Sequence, residues 1–251
     1  MKDQKTLAYI NMFAILGSIP KLCKECKEAR DLIKDDKISL GFSVKNGPHA
    51  TLVFNKGDCY MVEGVKKCNI KLCFSTCEKF NGMIDGTVTP IPRKGLLKVM
   101  FLLKKFMPLT DILSKYLRAT EEDLKDKEFF KISTLVMFNV ITEAMAQIGN
   151  YDKVGKASAS YITDGNVKIE ITGSESAYIT AKNHILTAHH TTPDTFTSYM
   201  SFESIELARD LFDGKVNAVA AVGLGQVRIG GMISMVDNIN RILDRVSYYL
   251  A

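Results

Sequence analysis

Six cysteines and a cluster of three histidines are the residues of this 251-residue chain whose types and spacing could do chemistry. Cys23-Lys-Glu-Cys26 and Cys68-x4-Cys73-x3-Cys77, with Cys59 between them, have short spacings at which thiolates can hold zinc or an iron-sulfur cluster. Metal knuckles usually occupy tight, glycine-containing turns. Here Cys23 and Cys26 fall in a helix-like segment, and the later cysteines lie in or beside β-rich runs. The expectation is therefore a reduced, metal-free set of small hydrophobic side chains, with a thiol-rich metal-binding or redox protein as the alternative. His184, His189 and His190 form a cluster only in sequence. On a strand His189 and His190 point to opposite faces, so they cannot share one ion. Gly223-x-Gly225 followed by Gly230-Gly231 fails as a dinucleotide fingerprint because Arg228 stands where the third glycine is needed. Neither G-K-[S/T], G-x-S-x-G nor H-E-x-x-H occurs. No catalytic residue, metal ligand or cofactor is assigned, and a binder rather than an enzyme is expected.

The elements that would carry any site belong to a globular protein, since 46% of residues are hydrophobic and 24% charged. The formal charge of +5 is spread without a run of five like charges, which excludes a dedicated nucleic-acid groove and leaves at most a transient contact with anionic membranes. No run approaches the ~18 consecutive apolar residues of a spanning helix. Lys2 and Lys5 before LAYINMFAIL imitate a signal peptide, but Asp3 and Asn11 interrupt the pattern and no A-x-A site follows. An amphipathic first helix and a cytoplasmic location are expected.

The pattern of elements runs through the chain twice. Apolar, helix-length segments open each half at Leu7 to Ile19 and at Phe129 to Ile148, both with a Met-Phe pair. Strand chemistry follows: Ile38 to Val44, Asn46-Gly47, Ala50 to Phe54, Cys59 to Val62 and Asn69 to Ser75 in the first half. In the second, Ala157 to Ile162, Asp164-Gly165, Val167 to Ile171, Ala177 to Thr180 and Ile185 to Thr191 read the same way, with Thr191-Thr192-Pro193-Asp194 as a turn and helix cap. Asp85 to Val99 aligns without a gap on Asp213 to Val227, with Asp, Gly, Val, Gly, Leu and Val at matched places. The last helix is the clearest element, with Met232, Met235, Val236, Ile239, Ile242, Leu243, Val246, Tyr249 and Leu250 on one face. The charged stretch Glu121 to Glu128 sets a boundary, giving domains 1–120 and 121–251.

This order of elements resembles the sterol carrier protein type 2 family. The most telling piece is Phe212-Asp213-Gly214 followed by Ala220 to Met232, similar to that family's closing strand and helix start. The resemblance implies an α+β fold: two sterol-carrier-like domains, each a mixed, mainly antiparallel five-stranded sheet packed with helices around an apolar cavity. Such cavities take sterols, fatty acids, acyl-thioesters and related lipids without a cofactor. The implied partner is a lipid or other apolar small molecule, with the chain acting as a carrier or as an accessory subunit presenting the lipid to an enzyme. The cavity wall is placed at Met232, Met235, Val236 and Ile239 in the second copy, where Gly230 and Gly231 let the chain turn sharply from strand to helix. Leu102 and Phe106 are the first-copy candidates, in a less regular setting: no Gly-Gly break is present, Pro108 interrupts the segment, and a helix from about Leu96 is open. Eleven Met residues supply adaptable apolar wall.

Overall fold

The computed structural model describes residues 2–65 and 67–250, and the chain divides into two compact units, Met1–Val136 and Met137–Ala251. In the first unit a long helix, α1 (Gln4–Glu25), starts on an Asp3 cap whose carboxylate accepts from the Thr6 N–H at 2.7 Å. It is followed by α2 (Lys27–Leu32), β1 (Lys37–Val44), β2 (His49–Asn55), β3 (Asp58–Glu63), β4 (Ile70–Phe74), α3 (Cys77–Ile84), β5 (Pro92–Lys94) and a helical run, α4 (residues 96–117). The sheet order is β3-β2-β1-β4-β5, with β1 and β4 parallel and the other pairs antiparallel. Along β1, Ile38, Leu40, Phe42 and Val44 alternate onto one buried face, and α1, α3 and α4 cover it with Met12, Leu16, Phe80, Phe101 and Phe106.

A second long helix, α5 (Lys127–Tyr151), opens the second run of elements: α6 (Lys153–Ala159), β6 (Gly165–Ile171), β7 (Glu175–Lys182), β8 (Ile185–His189), β9 (Ser198–Phe202), α7 (Ile205–Phe212), α8 (Ala218–Gly223), β10 (Val227–Gly231) and α9 (Ile233–Leu250). The order β10-β9-β6-β7-β8 is that of the first sheet read from its other edge, with the same strand senses. The parallel registers also match. Leu40, Phe42 and Val44 face Ile70, Leu72 and Phe74 in one sheet, and Val167, Ile169 and Ile171 face Ser198, Met200 and Phe202 in the other. The fold is α+β, with two mixed, mainly antiparallel five-stranded sheets. Helices α1 and α5 are long and apolar enough to cross a membrane, but 61% and 72% of their apolar windows are buried inside the structure, as in core helices.

Several expectations need correction. The compact units meet at Val136/Met137, not at 120/121, because Ile132 and Val136 near the start of α5 sit in the first unit's core. Residues 157–162 are not a strand: Asp152 caps α6 through the N–H groups of Val154 and Gly155, and helix runs to Ala159. Asp164-Gly165 is therefore no hairpin turn, and Gly165 begins the first strand of its sheet. No helix cap stands at Thr191 to Asp194. The next strand is β9, and the cap belongs to Ser204, whose Oγ accepts from the Leu207 N–H. Pro108 does not end α4. A wide turn over Leu102–Phe106, closed by the Met107 N–H to the Leu102 carbonyl, shifts the carbonyls that the proline ring would strike.

The gap-free alignment from Asp85 onto Asp213 holds at its start, where each residue caps the preceding helix, and then fails. Helix α8 intervenes before the last strand of the second unit, so the counterpart of Gly95 lies eight residues later, at Gly231 rather than Gly223. Gly95 (φ 84°) and Gly231 (φ 83°) both end the last strand and start the covering helix. A Cβ on Gly95 would lie 2.5 Å from the Asn69 carbonyl oxygen, and one on Gly231 2.1 Å from that of Thr197, each residue being the one before the strand that runs parallel to the central one. Alanine at either position combines a left-handed backbone with a clash against main chain. Each substitution is expected to cost at least about 2 kcal/mol in urea unfolding, whereas Gly173→Ala (φ 73°, with open space around it) costs less. Equal losses at all three positions would show that close approach plays no part.

Candidate apolar binding site

The second unit contains an apolar cleft between its sheet and its helices. Ile169 of β6 and Met200 and Phe202 of β9 form the floor, Phe138, Ile141, Thr142 and Met145 of α5 one wall, Ile239 and Leu243 of α9 another, and Phe212 an end. The cavity left between them is small, about 10 Å³, or room for about one water, so the cleft is nearly closed. Its lining is devoid of charge. The one hydroxyl, on Thr142, donates to the Phe138 carbonyl at 2.8 Å and offers little to a guest. Phe212 lies between Phe138 and Phe202, at ring-centroid distances of 6.4 and 5.9 Å.

Of the six residues proposed from sequence, Ile239 lines this cleft. Met235 and Val236 are buried on α9 outside the lining, and Met235 packs near Gly165. Met232 is 42% exposed and accepts a hydrogen bond on its sulfur from Thr163. Leu102 and Phe106 belong to the first unit's core, where the Phe106 ring stands 5.9 Å from Phe42. Phe42 holds in its sheet the place of Ile169, and Phe80 of α3 stacks edge-on to it at 6.4 Å. Large rings thus fill the first unit over the strand pair that floors the cleft in the second. The sequence reading missed α5, β9 and Phe212 as cleft-forming. Their signal was the apolar face Phe138, Ile141, Thr142 and Met145 and the match of Ser198–Phe202 to Ile70–Phe74.

Solved sterol carrier protein 2 domains are similar to this chain. The protein described as UbiJ-SCP2, a ubiquinone synthesis protein, is 16% identical, with 44% of this chain and 94% of that one covered at a TM-score of 0.35. The sterol carrier protein domain 2 of Helicoverpa armigera is 15% identical over 46% of this chain and 89% of that one (TM-score 0.36), and sterol carrier protein 2 from Yarrowia lipolytica is 17% identical over 41% and 90% (TM-score 0.31). No protein-family model and no curated protein sequence matches the chain.

Two of the six thiols are held above their ordinary value. Cys59 is pushed up by a hydrogen bond with the Cys23 thiol and by burial, and Cys77 chiefly by burial, which is the wrong direction for a thiolate ligand or nucleophile. Burial, then a hydrogen bond with Cys26, raises Tyr116 as well. Among the described residues no group of three or more His, Cys, Asp or Glu could hold a metal ion. His189 stacks on Tyr178 at 4.4 Å, His190 lies 3.6 Å from Glu143, and His184 is exposed.

What holds α9 over the cleft is a buried polar cluster. The Asp152 carboxylate, 4% exposed, accepts from the Val154 and Gly155 N–H groups on one oxygen and from Tyr249 Oη (2.7 Å) and Arg245 (3.0 Å) on the other. Burial pushes this carboxyl up, but the hydrogen bonds from Tyr249, Gly155 and Arg245 outweigh it and hold it below the ordinary value. Its charged form stabilises the fold, and that contribution, present above the unfolded-state value near 3.8, is lost as pH falls through the lower folded value. Asp152→Asn is expected to cost about 1 to 3 kcal/mol at neutral pH, less than for a fully buried pair because the Arg245 side chain is 29% exposed. Its stability should also fall less steeply than wild type in acid. Parallel acid profiles in urea titrations would remove Asp152 as the cause.

Proposed function

We propose that the chain is a non-enzymatic, cytoplasmic binder of a lipid or other apolar small molecule, built as two tandem copies of one domain, and that the cleft of the second copy takes the ligand. The observation that carries the reading is a lining without charge or free polar group, set between a sheet and an amphipathic helix. Such a wall recognises hydrocarbon by burial alone. A guest burying ~14 methylenes gains roughly 11 kcal/mol, at about 0.8 per CH₂. Association costs at least about 4 kcal/mol, which leaves dissociation constants of about 10 μM before the work of parting the side chains. Binding of that strength suits a protein that also gives its ligand up, either to a membrane or to an enzyme. The matching strand order and register, and the paired glycines Gly95 and Gly231, support the tandem reading.

Native mass spectrometry of the purified chain should show a co-purifying apolar molecule, and a fluorescent fatty acid should be displaced by competing lipids. Ile239→Trp places an indole in the cleft and should weaken fatty-acid binding at least tenfold while costing about 1 to 3 kcal/mol of stability. Phe212→Ala opens the same space and should tighten binding, at a stability cost below the ~3 to 5 kcal/mol of a fully buried ring because Phe212 is half-buried. Wild-type affinity in both variants, with the fold retained, would move the ligand elsewhere. No bound molecule and no displacement would leave a structural or protein-interaction module.

A further inference from the structure

One segment of the first unit is basic without interruption. Between Asp85 and Asp111 stand Arg93, Lys94, Lys98, Lys104 and Lys105 and no acidic residue. The same segment leaves apolar side chains in water: Leu96 is 66% exposed, Leu97 fully, Met100 50%, Leu103 54% and Met107 52%, with Ile91 just before them at 78%. Leu96, Met100, Leu103 and Met107 recur every three to four residues along α4, so they form one ridge opposite the face that Phe106 and Leu109 bury. Arg93, Lys98 and Lys104 are exposed and have no ion-pair partner among the described residues, while Lys94 and Lys105 reach the carbonyls of Cys68 and Leu32.

We propose that this ridge docks the first unit onto an anionic lipid surface. Lysine and arginine beside an exposed aliphatic stripe match a negatively charged headgroup layer over acyl chains. The patch contains no Trp or Tyr, the aromatic anchors that concentrate energy at protein interfaces. A convex row of flexible Leu and Met side chains enters a fluid layer without needing a complementary groove. The proposal is independent of the cleft in the second unit.

The full chain should sediment with vesicles of phosphatidylcholine mixed with phosphatidylserine, bind vesicles of phosphatidylcholine alone less, and release as salt rises. Lys98→Glu with Lys104→Glu, and separately Leu96→Glu with Leu103→Glu, should each lower binding to the anionic vesicles at least tenfold. Both variants should keep the wild-type melting temperature and fatty-acid displacement, which separates failure here from failure of ligand binding. Ile185→Glu, at an exposed site of the second unit, should change nothing. Absence of vesicle binding, or binding equal in wild type and both ridge variants, would overturn the proposal. So would a wild-type dimer that Leu96→Glu converts to monomer, since the ridge would then be a seam between two copies.

Discussion

Each sheet has one apolar face, and the chain must return across it after the last strand. That return is made through a single left-handed glycine lying against the main chain just before the strand next to the edge, Gly95 over Asn69 and Gly231 over Thr197. A side chain there would force the edge strand away from its neighbour or send the helix off the sheet. Everything that defines the interior follows from this turn: which face α4 and α9 cover, which of their residues are buried, and what space remains underneath.

The two units use that return differently. In the first, α4 brings Phe101 to 5.2 Å from Phe54 and Phe106 to 5.9 Å from Phe42, and the wide turn between them lets both rings reach the sheet despite Pro108. In the second, α9 is a regular helix whose Met235, Val236, Ile239, Ile242 and Val246 are aliphatic, and the sheet position equivalent to Phe42 is Ile169. Smaller, flexible side chains over the same strand pair leave a seam where rings leave none. The difference lies in side-chain volume, since strand order and senses are shared.

Elements with strong periodicity and unambiguous turns were legible in the sequence: β1 to β4, α5 and α9 follow from alternation, Asn46-Gly47 and a single apolar face. The misreadings have common causes. Residues 157–162 combine small and β-branched side chains, which fit a strand, but the Asp152 cap starts a helix that runs to Ala159, and the other oxygen of that carboxylate is held by Tyr249 and Arg245 far along the chain. The shifted alignment arose because Asp-Gly caps are local and conspicuous, whereas the glycine that matters is defined by contact with a distant carbonyl. Of the cleft, only Ile239 was legible. Met200 and Phe202 lie on β9, whose Ser-Tyr-Met-Ser-Phe pattern is short and half polar, and no spacing rule joins it to α5 or Phe212.

A nearly closed cleft constrains how the proposed binding would work. An apolar guest gains free energy only from the surface it removes from water, and here the walls already remove one another. Entry therefore requires side chains to part, and the net affinity is the difference between guest burial and lost self-contact. Asp152 pins the carboxyl-terminal end of α9 through Arg245 and Tyr249, while the cleft residues Ile239 and Leu243 lie nearer its start. Rigid removal of the helix would break a buried charged cluster at a cost of several kcal/mol. Rearranging Phe212 and the thioethers of Met145 and Met200 breaks no hydrogen bond of their side chains. The low-cost opening is thus by side chains within the cleft, with α9 held fixed as its wall.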